Sequence, residues 1–143
     1  MDRDRLRTFA GIGLAIVVVV AFGLARIGGV GGLGGAPAPT CEDPVAADAS
    51  SLRAGQVTAV TGVVARVAFE PEVGGAPTFI NLNEPHPDPG RFDVVVYEDV
   101  TERFDVRPDA SWEGREMCVR GRLRVRDDVF QIVIAHPAEI ELR

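Results

Sequence analysis

Hydrophobic and polar positions divide the chain near residue 40. Residues 8–25 carry no charged side chain (TFAGIGLAIVVVVAFGLA) and are apolar on every helical face. Eighteen residues make about 27 Å of helix, close to the ~30 Å hydrocarbon core of a bilayer. An apolar surface all round suits lipid better than the interior of a small domain. Residues 8–27 are therefore expected to be a transmembrane anchor or a signal segment. Arg3, Arg5 and Arg7 precede the run, and Arg26 follows it. The positive-inside rule puts residues 1–7 in the cytoplasm and the chain beyond the span outside. A basic start, an apolar run and small-residue sites such as Gly23-Leu24-Ala25 also fit a cleaved secretory signal. Both outcomes leave the rest extracytoplasmic, as a single-pass membrane protein in one case and a secreted one in the other. Residues 28–42 read as a tether, rich in glycine and then stiffened by Pro37-Ala38-Pro39.

From residue 43 onward the pattern is that of a folded domain. Residues 43–52 suit one short helix, with Asp43 as cap, Pro44 in the first turn and Gly55 beyond its end. Strand signals follow. Residues 56–69 are rich in valine and threonine, and Gly62 in their middle suggests a bulge or sharp bend. Residues 78–83 alternate, with Ile80 and Leu82 on one face and Phe79, Asn81 and Asn83 on the other. Residues 92–97 are another strand, and Tyr97 is expected to join the Phe79 face. The stretches 70–77 and 84–90 are loops, the second holding three prolines. Residues 98–112 are irregular, with room for a short helix near 100–104. Residues 116–126 and 129–135 form a hairpin around Asp127-Asp128, and 139–142 is a closing strand or tail. In the hairpin register Val125 faces Phe130, Leu123 faces Ile132 and Gly121 faces Ile134. That set makes one apolar face, and a one-residue slip would destroy it. Arg120, Arg122, Arg124 and Arg126 share the other face with Gln131. A short helix, a long bent strand, two middle strands, a connection and a final hairpin is the order of a small all-β Greek-key barrel. The five-stranded OB-fold is of this kind and size.

Length and charge narrow the classes. The chain has 143 residues and a formal net charge of -6. Its hundred or so folded residues exclude a doubly wound dinucleotide enzyme and any multi-domain machine. All fifteen basic residues are arginine, and beyond residue 40 eleven arginines face nineteen carboxylates, a balance of -8. Such a domain repels phosphate at long range, so nucleic-acid contact would have to be local.

Residues 45–143 resemble a family of bacterial OB-fold domains described as nucleic-acid-binding or DNA-binding. The likeness runs through Leu52-Arg-Ala-Gly55-Gln-Val-Thr-Ala-Val-Thr-Gly62-Val-Val, Pro77-Thr-Phe-Ile-Asn-Leu82, Pro85-His-Pro87 and Phe92-Asp-Val-Val-Val-Tyr97. It resumes at Gly114-Arg-Glu-Met-Cys-Val-Arg-Gly121, Phe130-Gln-Ile-Val and His136-Pro-Ala-Glu-Ile140. Members often have an aromatic residue where this chain has His86, and a basic segment where it has Asp127-Asp128. The resemblance implies an OB-fold over residues 43–143 and a nucleic-acid-binding role.

OB-folds bind along the middle strands and flanking loops. The expected ligand contacts are Phe79 and Tyr97 as stacking aromatics, Asn81 and Asn83 as amides reading base edges, and Arg120, Arg122 and Arg124 as phosphate contacts. A plainer reading of the arginine face is a solvated surface that discourages edge pairing. Cys41 and Cys118, the two cysteines of the chain, are expected to form a disulfide in an oxidising compartment; the alternative is two free thiols. His86 and His136 lack zinc-site spacing, and Glu84, Asp88 and Asp93 lack that of a calcium loop. No nucleophile has an evident base. The expectation is a non-enzymatic binding module without metal or cofactor. Its partners are the membrane and either single-stranded nucleic acid or an envelope protein; a protein-interaction or structural role in the envelope is the alternative function.

Overall fold

A computed structural model describes residues 41–143. The expected anchor or signal segment at 8–27, and the tether except for its last two residues, lie outside the described residues. Among the described residues no helix is long and apolar enough to cross a membrane.

The domain is mostly β. Its strands are β1 (Val45–Ala46), β2 (Val57–Phe69), β3 (Thr78–Leu82), β4 (Phe92–Val96), β5 (Glu116–Arg126), β6 (Val129–Val133) and β7 (Ile140–Leu142), with one short helix α1 (Glu98–Thr101). They form a seven-stranded sheet in the order β1-β2-β3-β4-β6-β5-β7, with a further pairing of β2 to β5. That last pairing joins the two sides of the sheet. Pairings run from β2 to β3, β4, β6 and β5 and return to β2. All are antiparallel except β4 with β6.

The circuit closes because β2 changes neighbour along its length. Val57 to Val63 pair with Arg122 to Glu116 of β5, and Val64 to Phe69 pair with Leu82 to Thr78 of β3. Gly62 lies where the exchange occurs. A Cβ there would come within 2.7 Å of Asn83 Oδ1 and 3.1 Å of Leu82 Cβ, so a bare backbone lets the strands close up. The bulge expected at Gly62 falls instead at Ala65, between the pairs Val64↔Leu82 and Arg66↔Asn81.

One extra residue reverses the alternation of inward and outward side chains. Val60 and Val64 are buried before it, whereas Arg66 and Ala68 face out after it and Val67 packs against the core. Ile80 and Leu82 of β3, Phe92, Val94 and Val96 of β4, Met117, Val119 and Leu123 of β5, and Ile132 of β6 complete the interior. Each fully buried aliphatic side chain contributes about 1.5–3 kcal/mol. The connection from β4 to β5 supplies Val100 and Trp112, with the Phe104 ring 6.0 Å from that of Trp112. Trp112 ends a 3₁₀ turn (Ala110–Trp112) capped by Asp109, whose Oδ1 accepts from Ser111 N–H at 2.8 Å.

Two local expectations are corrected. Residues 43–52 are not a helix. Asp43 has φ +48°, and Val45–Ala46 pair in parallel with Val60 and Thr61. So short a helix is marginal alone, and here the β2 edge opposite β5 offers hydrogen bonds instead. In the hairpin, Leu123↔Ile132 and Val125↔Phe130 pair as expected, but Val125 is 48% exposed. Its partner Phe130 packs against the core and Val129 beside the turn is buried, so correct register does not by itself bury Val125. Residues 121 and 134 fall beyond the last pair of that ladder.

Cys41 and Cys118 are bonded, with Cα atoms 6.0 Å apart. Cys118 is fully buried and pairs with Thr61 of β2. The bridge therefore fastens the start of the domain to the wall where β2 meets β5.

Candidate ligand-binding groove

Side chains of register partners project from the same face of a sheet. Following partners from β2 across the circuit gives one outward row: Arg66, Asn81, Asp93, Gln131 and Arg124. Beside it runs a second row: Ala68, Phe79, Val95 and Val133. Over these rows lies a groove of about 320 Å³. Phe79, Asn81, Asp93 and Gln131 contribute to it from the strands, Glu70 and Val73 from the β2–β3 loop, His86 and Arg91 from the proline-rich loop, and Arg126 and Asp127 from the hairpin tip.

The polar side of the groove is built by one network. Asn81 Nδ2 donates to Asp93 Oδ1 at 2.8 Å, and Arg91 Nε donates to the same oxygen at 3.0 Å. His86 N–H donates to Asn81 Oδ1 at 3.0 Å, and Arg91 Nη1 donates to the Asp88 carbonyl at 2.9 Å. Asn81 is 2% exposed and Asp93 8%, so these bonds stand in for water that neither group can reach. They also tie both ends of the proline-rich loop to β3 and β4. Asp88 is engaged as well, accepting from Gly90 N–H at 2.7 Å.

The structure separates the residues expected to act together. Phe79 is half-buried and lines the groove. Asn81 lines it too, but both ends of its amide are used by Asp93 and His86. Those bonds and its near-complete burial make it a residue that shapes the site. Asn83, with φ +66°, completes the exchange region of β2: its N–H donates to the Val63 carbonyl at 2.7 Å and its Oδ1 accepts from Val63 N–H at 3.1 Å. It is not among the groove residues. Tyr97 is on the Phe79 side of β4 but beyond the groove. Its ring covers Gly75, where a Cβ would lie 2.8 Å from Tyr97 Cδ1, and Glu98 N–H donates to the Gly75 carbonyl at 3.2 Å. Tyr97 thus steadies the loop that carries Glu70 and Val73 to the site.

The arginine strand spans two walls. Arg120 and Arg122 pair with Ala59 and Val57 on the β2 side, and Arg122 Nη1 donates to the Gly55 carbonyl at 2.7 Å. Arg124 pairs with Gln131 beside the groove, and only Arg126 of the four lines it. The Arg126–Asp127 contact, 3.8 Å between exposed groups, contributes little.

Sequence reading did not assign Arg66, Arg91 or Gln131 to the site. Arg66 was hidden by the bulge: in unbroken alternation it would share the inward face of Val60 and Val64. Arg91 sits at the end of a loop, where periodicity says nothing. Gln131 was legible as a neighbour of the arginine face through the hairpin register.

No protein-family model matches the sequence, and no curated protein matches it. Among solved structures, the chain is similar to the p204 HINb domain at 15% identity and a TM-score of 0.45, covering 65% of this chain and 42% of that one. It is similar to a chain of the S. pombe Stn1-ten1 complex at 12% identity and a TM-score of 0.39, covering 59% of this chain and 56% of that one. The N-terminal domain of PriB from Thermoanaerobacter tencongensis shares 15% identity at a TM-score of 0.38, over 61% of this chain and 94% of that one. This chain therefore spans less than two thirds of the first two.

Proposed function

We propose that residues 41–143 are a non-enzymatic OB-fold module that holds single-stranded nucleic acid across the Phe79 groove. In this reading the module is carried outside the cytoplasm on an N-terminal membrane anchor. The pairing circuit β2-β3-β4-β6-β5 supports the OB-fold assignment, being the connectivity of a closed five-stranded Greek-key barrel. The apolar run at 8–25 supports the anchor. The Cys41–Cys118 bridge supports an oxidising compartment.

The ligand class rests on one observation: a half-buried aromatic ring, Phe79, lies in a groove with Arg66 and Arg126 on its rim. A planar base stacks on such a ring, and guanidinium groups at the rim meet the phosphates on either side. Arg66 is exposed and joins no ion pair among the described residues. The -8 balance removes long-range attraction, so binding is short-ranged and weak. That same acidity favours a second reading, a protein-interaction or structural module of the cell envelope.

A salt titration separates the two. Full-length protein in neutral detergent is titrated into fluorescent single-stranded DNA and RNA 12-mers at several salt concentrations. Saturable binding that weakens with salt is expected, with the slope falling by about one counterion in Arg66→Ala. Absence of saturable binding at low salt discards the nucleic-acid reading in favour of the second.

A further inference from the structure

We infer that Gln131 is the side chain that reads the edge of the base held on Phe79. This rests on the nucleic-acid reading of the groove. A side-chain amide carries a donor and an acceptor side by side and is one of the groups that read a base edge, beside arginine and the carboxylates. Three amides lie near the site. Asn81 is almost fully buried, giving an N–H to Asp93 and taking one from His86 on its oxygen, and Asn83 turns its oxygen to Val63 outside the groove. Gln131 is half-buried, lines the groove, and its amide has no hydrogen-bond partner among the described residues.

Its support suits the task. Gln131 is in the middle of β6, paired with Asp93 on one side and Arg124 on the other. A side chain on a strand held at both edges is better fixed than one on a loop. His86, whose side chain also lines the groove, is on the exposed proline-rich loop and meets that condition less well. Phe79 is two strands away and two residues along, about 12 Å at ~4.8 Å per strand and ~3.4 Å per residue. A base over the intervening β4 can touch the ring with its face while its edge meets the glutamine amide.

Shape mimics test the inference. Thymidine 8-mers are compared with 8-mers of 2,4-difluorotoluene nucleoside, which has the outline and face of thymine but almost no hydrogen-bonding edge. Binding to full-length protein is followed by fluorescence anisotropy. Wild type should bind the natural oligomer about fivefold more tightly, the range of one or two net hydrogen bonds. Gln131→Ala and the near-isosteric Gln131→Met should each erase the difference by weakening only the natural oligomer. A difference that persists in both variants overturns the assignment to Gln131 while leaving the nucleic-acid reading in place. Equal binding of the two oligomers by wild type overturns edge reading at this site. Failure of both to bind saturably removes the nucleic-acid reading itself, and this inference with it.

Discussion

Asn81 and Asp93 are register partners on neighbouring strands, and the Asn81 amide donates to the Asp93 carboxylate at 2.8 Å. The same carboxylate oxygen accepts from Arg91, and the Arg91 and Asp93 side chains are each 11% exposed. Two nearly dry groups thus depend on one acid. Replacing Asp93 by alanine leaves a guanidinium and an amide without their acceptor and should cost about 2–4 kcal/mol. Asp93→Asn keeps an acceptor, loses the charge and should cost less. Urea unfolding of both variants checks the order; equal stability of Asp93→Ala and wild type would contradict the network's role.

Phe79→Ala separates binding from folding. The ring is half-buried and contributes less to the core than Ile80 or Leu82, so its loss should lower stability only modestly. Affinity for single-stranded oligomers should fall by about 1–3 kcal/mol, the range for one stacked base. The loss should be similar at low and high salt, because stacking is screened less than charge. An unchanged affinity would move the binding surface elsewhere.

Asp109 gives a pH dependence with a definite sign. The Ser111 side chain and then its N–H hold the Asp109 carboxyl below the usual aspartate range. A group with a lowered folded-state pKa stabilises above its unfolded value, and that contribution is lost as pH falls through the folded value. Stability should therefore drop on acidification below about pH 4, near the unperturbed aspartate pKa. Asp109→Asn keeps the capping oxygen without the charge and should show a shallower drop in acid unfolding. An identical acid profile would assign the drop to other carboxylates.

The hairpin turn can be improved. Asp127 and Asp128 have φ of 51° and 63°, the positive pair that a two-residue hairpin of type I′ requires. Glycine adopts the second position without steric cost. Asp128→Gly should stabilise the domain by about 0.5–1 kcal/mol, read as a higher unfolding midpoint. Destabilisation would mean that Asp128 makes a contact beyond turn geometry.

Much of the β architecture was legible because alternation, glycine and paired aspartates mark strands and turns locally. The β5–β6 register followed from the two-residue Asp127-Asp128 turn together with apolar matching. The groove was only half legible. Phe79 and Asn81 fell on the right face, but whether an amide is free depends on what reaches it from a loop, and His86 comes from such a loop. Arg66 depended on a single inserted residue, Ala65, which reverses which side chains face out. The expected helix at 43–52 carried real capping signals, and an open strand edge outcompeted them.

The exchange of neighbours along β2 also orders the assembly of the domain. Phe69 and Thr78 pair across nine positions, whereas Val57 and Arg122 pair across sixty-five. The β2-β3-β4 meander can form from nearby chain, and the join of β2 to β5 carries the greater loop-closure entropy. Cys118 is the register partner of Thr61 at that join, and its bond to Cys41 holds residue 118 near the start of the domain in the unfolded chain. Oxidised chains therefore begin refolding with their slowest search shortened. In stopped-flow refolding from urea, reduction should slow the folding limb more than it speeds the unfolding limb. The covalent bond then serves as a kinetic aid to joining β2 and β5, strands that lie far apart in sequence.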